Sequence, residues 1–383
     1  MSVTYPKGFV AAGVAAAIKS TGAKDLALVV NVGPIRNAAA RFTSNRVKAA
    51  PVLWSQQAIQ DGRIDAVILN SGGANACTGS AGFLDTHRTA EFVANLVGSS
   101  ATDVAVCSTG LIGMRLPLDR LLAGAVEAQE SLSSDGGLDA ATAIMTTDTV
   151  AKTAIRESGG IRIAGMAKGA GMLAPSLATM LVVITTDAIA APELLDLALG
   201  EVAEQTFNRI DSDGCMSTND TVLLLASGSS GITATYADFK DLLFAVCQDL
   251  AMQLIADAEG ASKEIAIKVV NAASEDDATA VGRSCARNNL LKCALHGEDP
   301  NWGRVLAAVG TTDAIFDPNE IDVEINGVML CRGGAIGDDR NLVDMSGRSI
   351  DIVIDLHAGD SQATIWTNDL TAEYVHENSA YSS

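Results

Sequence analysis

The sequence predicts an α/β (α+β) fold, and three observations carry that expectation. Short apolar runs rich in β-branched residues alternate with stretches of helical periodicity along the chain. Hydrophobic residues make up 48% of the 383 residues and charged residues 19%, so a large core is available. Aromatics are only 4%, so the layers must be built from small side chains.

In chain order, the apolar runs predict strands at "DLALVVN" (Asp25–Asn31), "DAVILN" (Asp65–Asn70), "DVAVC" (Asp103–Cys107), "IRIAGMA" (Ile161–Ala167), "TMLVVITT" (Thr179–Thr186) and "TVLLLAS" (Thr221–Ser227). Helical spacing predicts helices over Leu84–Leu96, Leu118–Leu132, Pro192–Phe207 and Asp238–Asp257. Pro192 suits a first helical turn, where a missing N–H costs nothing. From about Ser262 the texture changes. "KEIAIKVVNA" reads as a strand and "DDATAVGRSCARNNLLKCALHG" as one helix, and after "IDVEING" the strands "DIVIDLH" and "ATIWTND" follow with little helix between. The expected organisation is a main domain over 1–261 and a smaller subdomain over 262–383. The ending "TAEYVHENSAYSS" lacks periodicity and reads as either a loose tail or an ordered arm.

A formal net charge of -20 repels phosphate backbones and argues against nucleic-acid binding. No apolar run approaches a membrane span, and "MSVTYPKGF" resembles neither a signal nor a transit peptide, so the expectation is a cytoplasmic protein. Cys 7, an odd count without a C-x-x-C pair, suggests reduced thiols. The isolated His87, His296, His357 and His376 show no metal-ligand spacing. No metal and no resident cofactor are expected.

Several motifs bear on chemistry. "KGAG" (Lys168–Gly171) is no phosphate loop, because its lysine precedes the glycines and no Ser or Thr follows. It reads as a glycine turn between two strands. Thr179, after Ala178 and before "MLVVIT", is either a β-branched filler or a nucleophile. An unassisted hydroxyl is weak, but a cut between Ala178 and Thr179 would supply its base. The freed α-amine has a reference pKa of about 7.7–8.0. The same hydroxyl can make the cut, by an N-to-O acyl shift onto the preceding carbonyl followed by ester hydrolysis. The turn formers of "GMLAPSLA" suit such a shift. "CSTGLIG" (Cys107–Gly113) is either a plain turn or a two-donor oxyanion hole made of Thr109 Oγ1 and the Gly110 N–H. "MTTDT" (Met145–Thr149) and "DAEGASK" (Asp257–Lys263) place polar groups at element ends, and Glu259 is most simply a solvated residue beyond a long helix. In "HGEDPNWGRV" (His296–Val305), Asp299 followed by Pro300 predicts a helix start.

Together these segments resemble the ornithine acetyltransferase, or glutamate N-acetyltransferase, family of arginine biosynthesis. The likeness spans nearly the whole chain. It includes "FTSNRVKAAPV", "NSGGANACTG", "CSTGLIG", "IMTTDT", "AKGAGMLAPSLATML", "DGCMSTNDT", "HGEDPNWGRV" and the ending around Asn378–Ser382. The resemblance implies self-cleavage into an α chain (Met1–Ala178) and a β chain (Thr179–Ser383), with Thr179 as nucleophile and Thr109 and Gly110 as the oxyanion hole. It implies substrate contacts at Thr146, Lys168, Thr179, Glu259, Asn378 and Ser383, with Thr147 adjoining the first. It further implies a sandwich of sheets covered by helices, similar to amino-terminal-nucleophile hydrolases but differently connected. Two α and two β chains assemble in such a family, and the small-molecule substrates are N-acetylornithine and glutamate. Acetyl-CoA as a co-substrate is left open. One departure is "VAK" after "TTDT", where many relatives carry a proline before the lysine. Two other readings stand beside this one: a self-processing aminopeptidase or amidase of the same fold, and an uncleaved binding protein.

Overall fold

Runs such as "LVVITT" and "TVLLLA" are apolar at nearly every position, and such strands belong where both faces of a sheet are covered. All six residues of each are buried. The structure, a computed structural model, describes residues 2–174 and 180–380. Ala178, Thr179 and Ser383 lie outside the described residues. The chain divides into two compact units, the described parts of Met1–Asn208 with Cys215–Asp257 and of Arg209–Gly214 with Ala258–Ser382.

In the first unit the strands are β1 (Phe9–Val14), β2 (Leu26–Asn31), β3 (Asn37–Phe42), β4 (Ala66–Asn70), β5 (Val104–Ser108), β6 (Lys152–Ser158), β7 (Ile161–Lys168), β8 (Leu181–Thr186) and β9 (Thr221–Ala226). They form two sheets, ordered β1-β2-β4-β5 and β3-β9-β8-β7-β6. Phe9, Val29, Leu69 and Cys107 of the first sheet share one core with Met166, Leu181, Val183 and Leu223 of the second. The helices of this unit are α1 (Ala50–Ala58), α2 (Gly79–Val97), α3 (Leu118–Glu130), α4 (Gly137–Ala143), α5 (Pro192–Gln205) and α6 (Tyr236–Ala256). Residues of α1, α2 and α3, including Trp54, Val93 and Leu121, cover the other face of the first sheet through Leu28, Ile68 and Val106. Helices α5 and α6 pack on the second sheet, against β3 and against β6 and β7. The result is a layered sandwich of sheets covered by helices, as expected.

The second unit holds β10 (Glu264–Ala272), β11 (Asp322–Ile325), β12 (Val328–Arg332), β13 (Ala335–Ile336), β14 (Ser349–Asp355) and β15 (Ser361–Asn368) in one sheet ordered β13-β12-β11-β14-β10-β15. Its helices are α7 (Glu275–Ala286), α8 (Asn289–His296), α9 (Trp302–Val309) and α10 (Ala372–Ala380). Ile265, Ile267 and Val269 of β10 are buried while Lys268 is exposed, so one face packs under helices and the other meets water.

Three differences from the sequence reading have physical causes. The single helix expected over 276–297 is two, because Asn288 leaves the helical region and its side chain accepts the Leu291 N–H at 2.9 Å. The start expected at Asp299–Pro300 falls at Trp302, with Asn301 Oδ1 accepting the Arg304 N–H at 3.2 Å. Of the two readings left open for the ending, its described part up to Ala380 takes the ordered one, as α10. Strands β1 and β3 went unmarked because "FVAAGV" and "NAAARF" are rich in Ala and Gly, and their ladders with β2 and β9 make them strands. Among the described residues no helix is long and apolar enough to cross a membrane.

Candidate active site

Strand β5 delivers Thr109 and Gly110 at its end. The Thr109 N–H donates to Asn70 O and the Gly73 N–H to Thr109 O, both at 2.9 Å, so the "NSGG" loop braces the turn. Asn219 Nδ2 adds bonds to Ser108 O at 2.8 Å and Ala74 O at 2.6 Å. Gly110 has φ +127°, and a Cβ there would stand 2.8 Å from the Gly73 nitrogen, so no other residue fits. Among the described residues the Gly110 N–H has no acceptor. Thr109 keeps its hydroxyl as a second donor, because its Oγ1 is the acceptor in its bond from Lys168 Nζ at 3.4 Å.

Lys168 closes β7 and pairs across the ladder with Leu181 of β8, two residues after Thr179. Its side chain is almost wholly buried. Asp148 Oδ2 lies 4.0 Å from its Nζ. The same carboxylate accepts the Gly169 N–H at 2.6 Å, the Thr146 N–H at 2.9 Å and Lys152 Nζ at 2.7 Å. Burial alone would raise the Asp148 pKa, but Lys168, Lys152 and the Gly169 N–H together hold it at about 2. Lys152 is fully buried and also meets Asp257 Oδ2 at 2.5 Å, while Asp257 accepts the Thr149 N–H at 3.0 Å. The lysine of the "VAK" segment therefore anchors the loop that carries Thr146. Lys19 Nζ donates to Met145 O at 2.6 Å; burial pushes its pKa down, with Lys168 adding to that and Asp25 opposing it.

Lys168 thus links Thr109, beside Gly110, to Asp148, which also holds Thr146. Glu259 and Asn378 belong to the second unit, where Asn378 Nδ2 on α10 donates to Glu259 Oε2 at 2.9 Å. Glu259 lines a recess of about 240 Å³ with Arg287, Lys292, Asp369 and Tyr374. Burial brings the Lys292 pKa down to about 8 against the pull of Asp211, Asp213 and Asp369. Glu259, read from the sequence as most simply a solvated residue, also takes this exposed bond from Asn378. Asp148, Lys152, Asp257 and Asp220, whose Oδ1 accepts the Met180 N–H at 3.1 Å, were not singled out from the sequence. An opposite charge four residues on, as at Asp148 and Lys152, was the available signal, inside a segment otherwise reading as a loop.

The ArgJ family model matches residues 10–383. An arginine biosynthesis bifunctional protein ArgJ from Streptomyces coelicolor is 65% identical over 383 residues, covering 100% of both chains. One of the same name from Thermobifida fusca is 63% identical over 382 residues, again covering 100% of both. A crystal structure of ornithine acetyltransferase complexed with ornithine, from Mycobacterium tuberculosis, matches with 55% identity and a TM-score of 0.42, over 46% of this chain and 96% of that one. The chain belongs to the ArgJ family.

Proposed function

We propose that the chain cuts itself between Ala178 and Thr179 and then moves acetyl from N2-acetyl-L-ornithine to L-glutamate through an acetyl-Thr179 ester. The general class, an acyltransferase of arginine biosynthesis, goes with family membership. What supports the finer reading is the meeting of Lys168 Nζ and Thr109 Oγ1 at 3.4 Å, on a strand paired two residues beyond Thr179. A cation and an oxyanion donor then meet at the end of the strand that pairs with Leu181, which supports a site near the new amino terminus.

The Thr179 amine accepts the hydroxyl proton as Oγ1 attacks the acetyl carbon. Thr109 O–H and Gly110 N–H stabilise the resulting oxyanion. As the C–N bond breaks, the ammonium returns its proton to the leaving nitrogen and ornithine departs. The amine of glutamate then attacks the ester, and Thr179 recovers its proton. Lys168 offers charge complementarity to a substrate carboxylate and Glu259 to a side-chain ammonium. We place the enzyme in the cytoplasm, a setting that the core-packed thiols of Cys107, Cys247 and Cys285 fit. Its assembly is two α and two β chains, which native mass spectrometry reads.

Incubation with N-acetylornithine, with and without glutamate, tests the reaction. Ornithine release that rises steeply with glutamate, in step with N-acetylglutamate, is the expected result. Release indifferent to glutamate would make water the acceptor and the enzyme an amidase of this fold. Acetyl-CoA in place of N-acetylornithine tests the second donor.

A further inference from the structure

The Met180 N–H is the first main-chain donor after Thr179, and no strand partner takes it, since the β8–β9 ladder begins at Leu181 opposite Thr221. It donates instead to Asp220 Oδ1. Asp220 stands one residue before β9 and is 0% exposed, and its Oδ2 has no hydrogen-bond partner among the described residues. Burial pushes this carboxyl well above the ordinary carboxylate range. The Met180 N–H, the Ser217 hydroxyl, the Lys168 ammonium and the Thr43 hydroxyl oppose that without prevailing. Among these, Lys168 is the charged side chain.

The location gives the charge state a consequence. Three covalent bonds separate the Thr179 and Met180 nitrogens, at most about 4 Å. An Asp220 carboxylate 3.1 Å from the Met180 nitrogen would then stand within about 7 Å of the α-amine, and its charge would favour the ammonium form over the base that Thr179 needs. A neutral acid does not. The same bond also restrains a new chain end that would otherwise fray.

We propose that Asp220 is a positioning residue that anchors the first peptide group of the new chain and leaves the Thr179 amine its basicity. The proposal rests on the reading that Thr179 becomes an amino terminus.

Asp220→Asn keeps the size, the acceptor for Met180 and the neutrality; Asp220→Ala removes the acceptor. The readouts are the extent of cleavage on a denaturing gel and the pH profile of kcat/KM, whose acidic limb reports the free enzyme's base. For Asp220→Asn the account expects complete cleavage, kcat within about threefold of wild type, and an acidic limb displaced by less than about half a unit. For Asp220→Ala it expects slowed cleavage and kcat lower by about tenfold or more. A limb moved down by about half a unit or more in Asp220→Asn overturns the proposal, because wild-type Asp220 would then be ionised beside the amine. So does an Asp220→Asn protein that melts like wild type yet stays uncut or is as impaired as Asp220→Ala. If Asp220→Ala does not fold, Asp220→Asn alone decides. An active wild type left uncut sinks the reading of Thr179 itself, whereas a cut wild type with a displaced Asp220→Asn limb sinks only the role of Asp220.

Discussion

At the scale of residues, the site is a turn held by main-chain bonds and a lysine held by a buried carboxylate. With Thr109 as the proposed oxyanion donor, kcat of Thr109→Ala is expected to fall about 10²–10³-fold with KM little changed, while Thr109→Ser keeps most of the rate. Steady-state kinetics on the two variants check this. Asp148 sets a pH window. Its folded pKa of about 2 lies below the unfolded value, so its stabilising contribution, on the order of 2 kcal/mol, is complete above about pH 4 and is lost as pH falls through 2. Asp148→Ala leaves buried Lys152 with Asp257 as a partner and takes the carboxylate from Lys168 and from the Gly169 and Thr146 N–H groups, and should destabilise by about 3–5 kcal/mol, read by urea unfolding at pH 7. A loss under about 1 kcal/mol would mean that Asp257 alone compensates Lys152. Thr109, Gly110 and Lys168 were legible because glycine turns at strand ends present such groups. Asp148, Lys152 and Asp220 were not, because the i,i+4 spacing of Asp148 and Lys152 does not separate a buried pair from a solvated one, and Asp220 carries no local signal at all.

At the scale of elements, continuous apolar runs marked β2, β4, β5, β8 and β9 to within a residue or two, because both faces of those strands are covered. Where small residues are pinned by their neighbours, as in β1 and β3, the pattern was silent. Helix α10 was illegible for a related reason. Its residues are half-buried or exposed, and its anchor is the bond from Thr371 Oγ1 to Gly260 O at 2.7 Å. Two measurements belong here. Asn288→Ala removes the cap that separates α7 from α8, costs about 1 kcal/mol and lowers Tm by roughly 2 °C in calorimetry. Asn378→Ala frees Glu259, and KM for N-acetylornithine is expected to rise roughly tenfold, with cleavage unaffected. An unchanged KM would take α10 out of substrate binding.

For the whole molecule, the consequence of a cut at 178/179 can be read from the sheet order. Strands β8 and β9 follow the cut, and they lie between β3 and β7, which precede it. Main-chain ladders on both sides of that insertion hold the two pieces, so they should co-elute in native chromatography and part only in denaturant. The acidic balance, the texture change near Ser262 and the motif order carried the class of protein in the sequence, whereas the threading of one piece through the other needed the fold. The most direct test of the central claim is mass spectrometry of the amino termini in fully active enzyme. The account predicts a second terminus beginning Thr179-Met180-Leu181, lost together with turnover in Thr179→Ala. Full activity in a preparation whose Ala178–Thr179 bond is intact would contradict it.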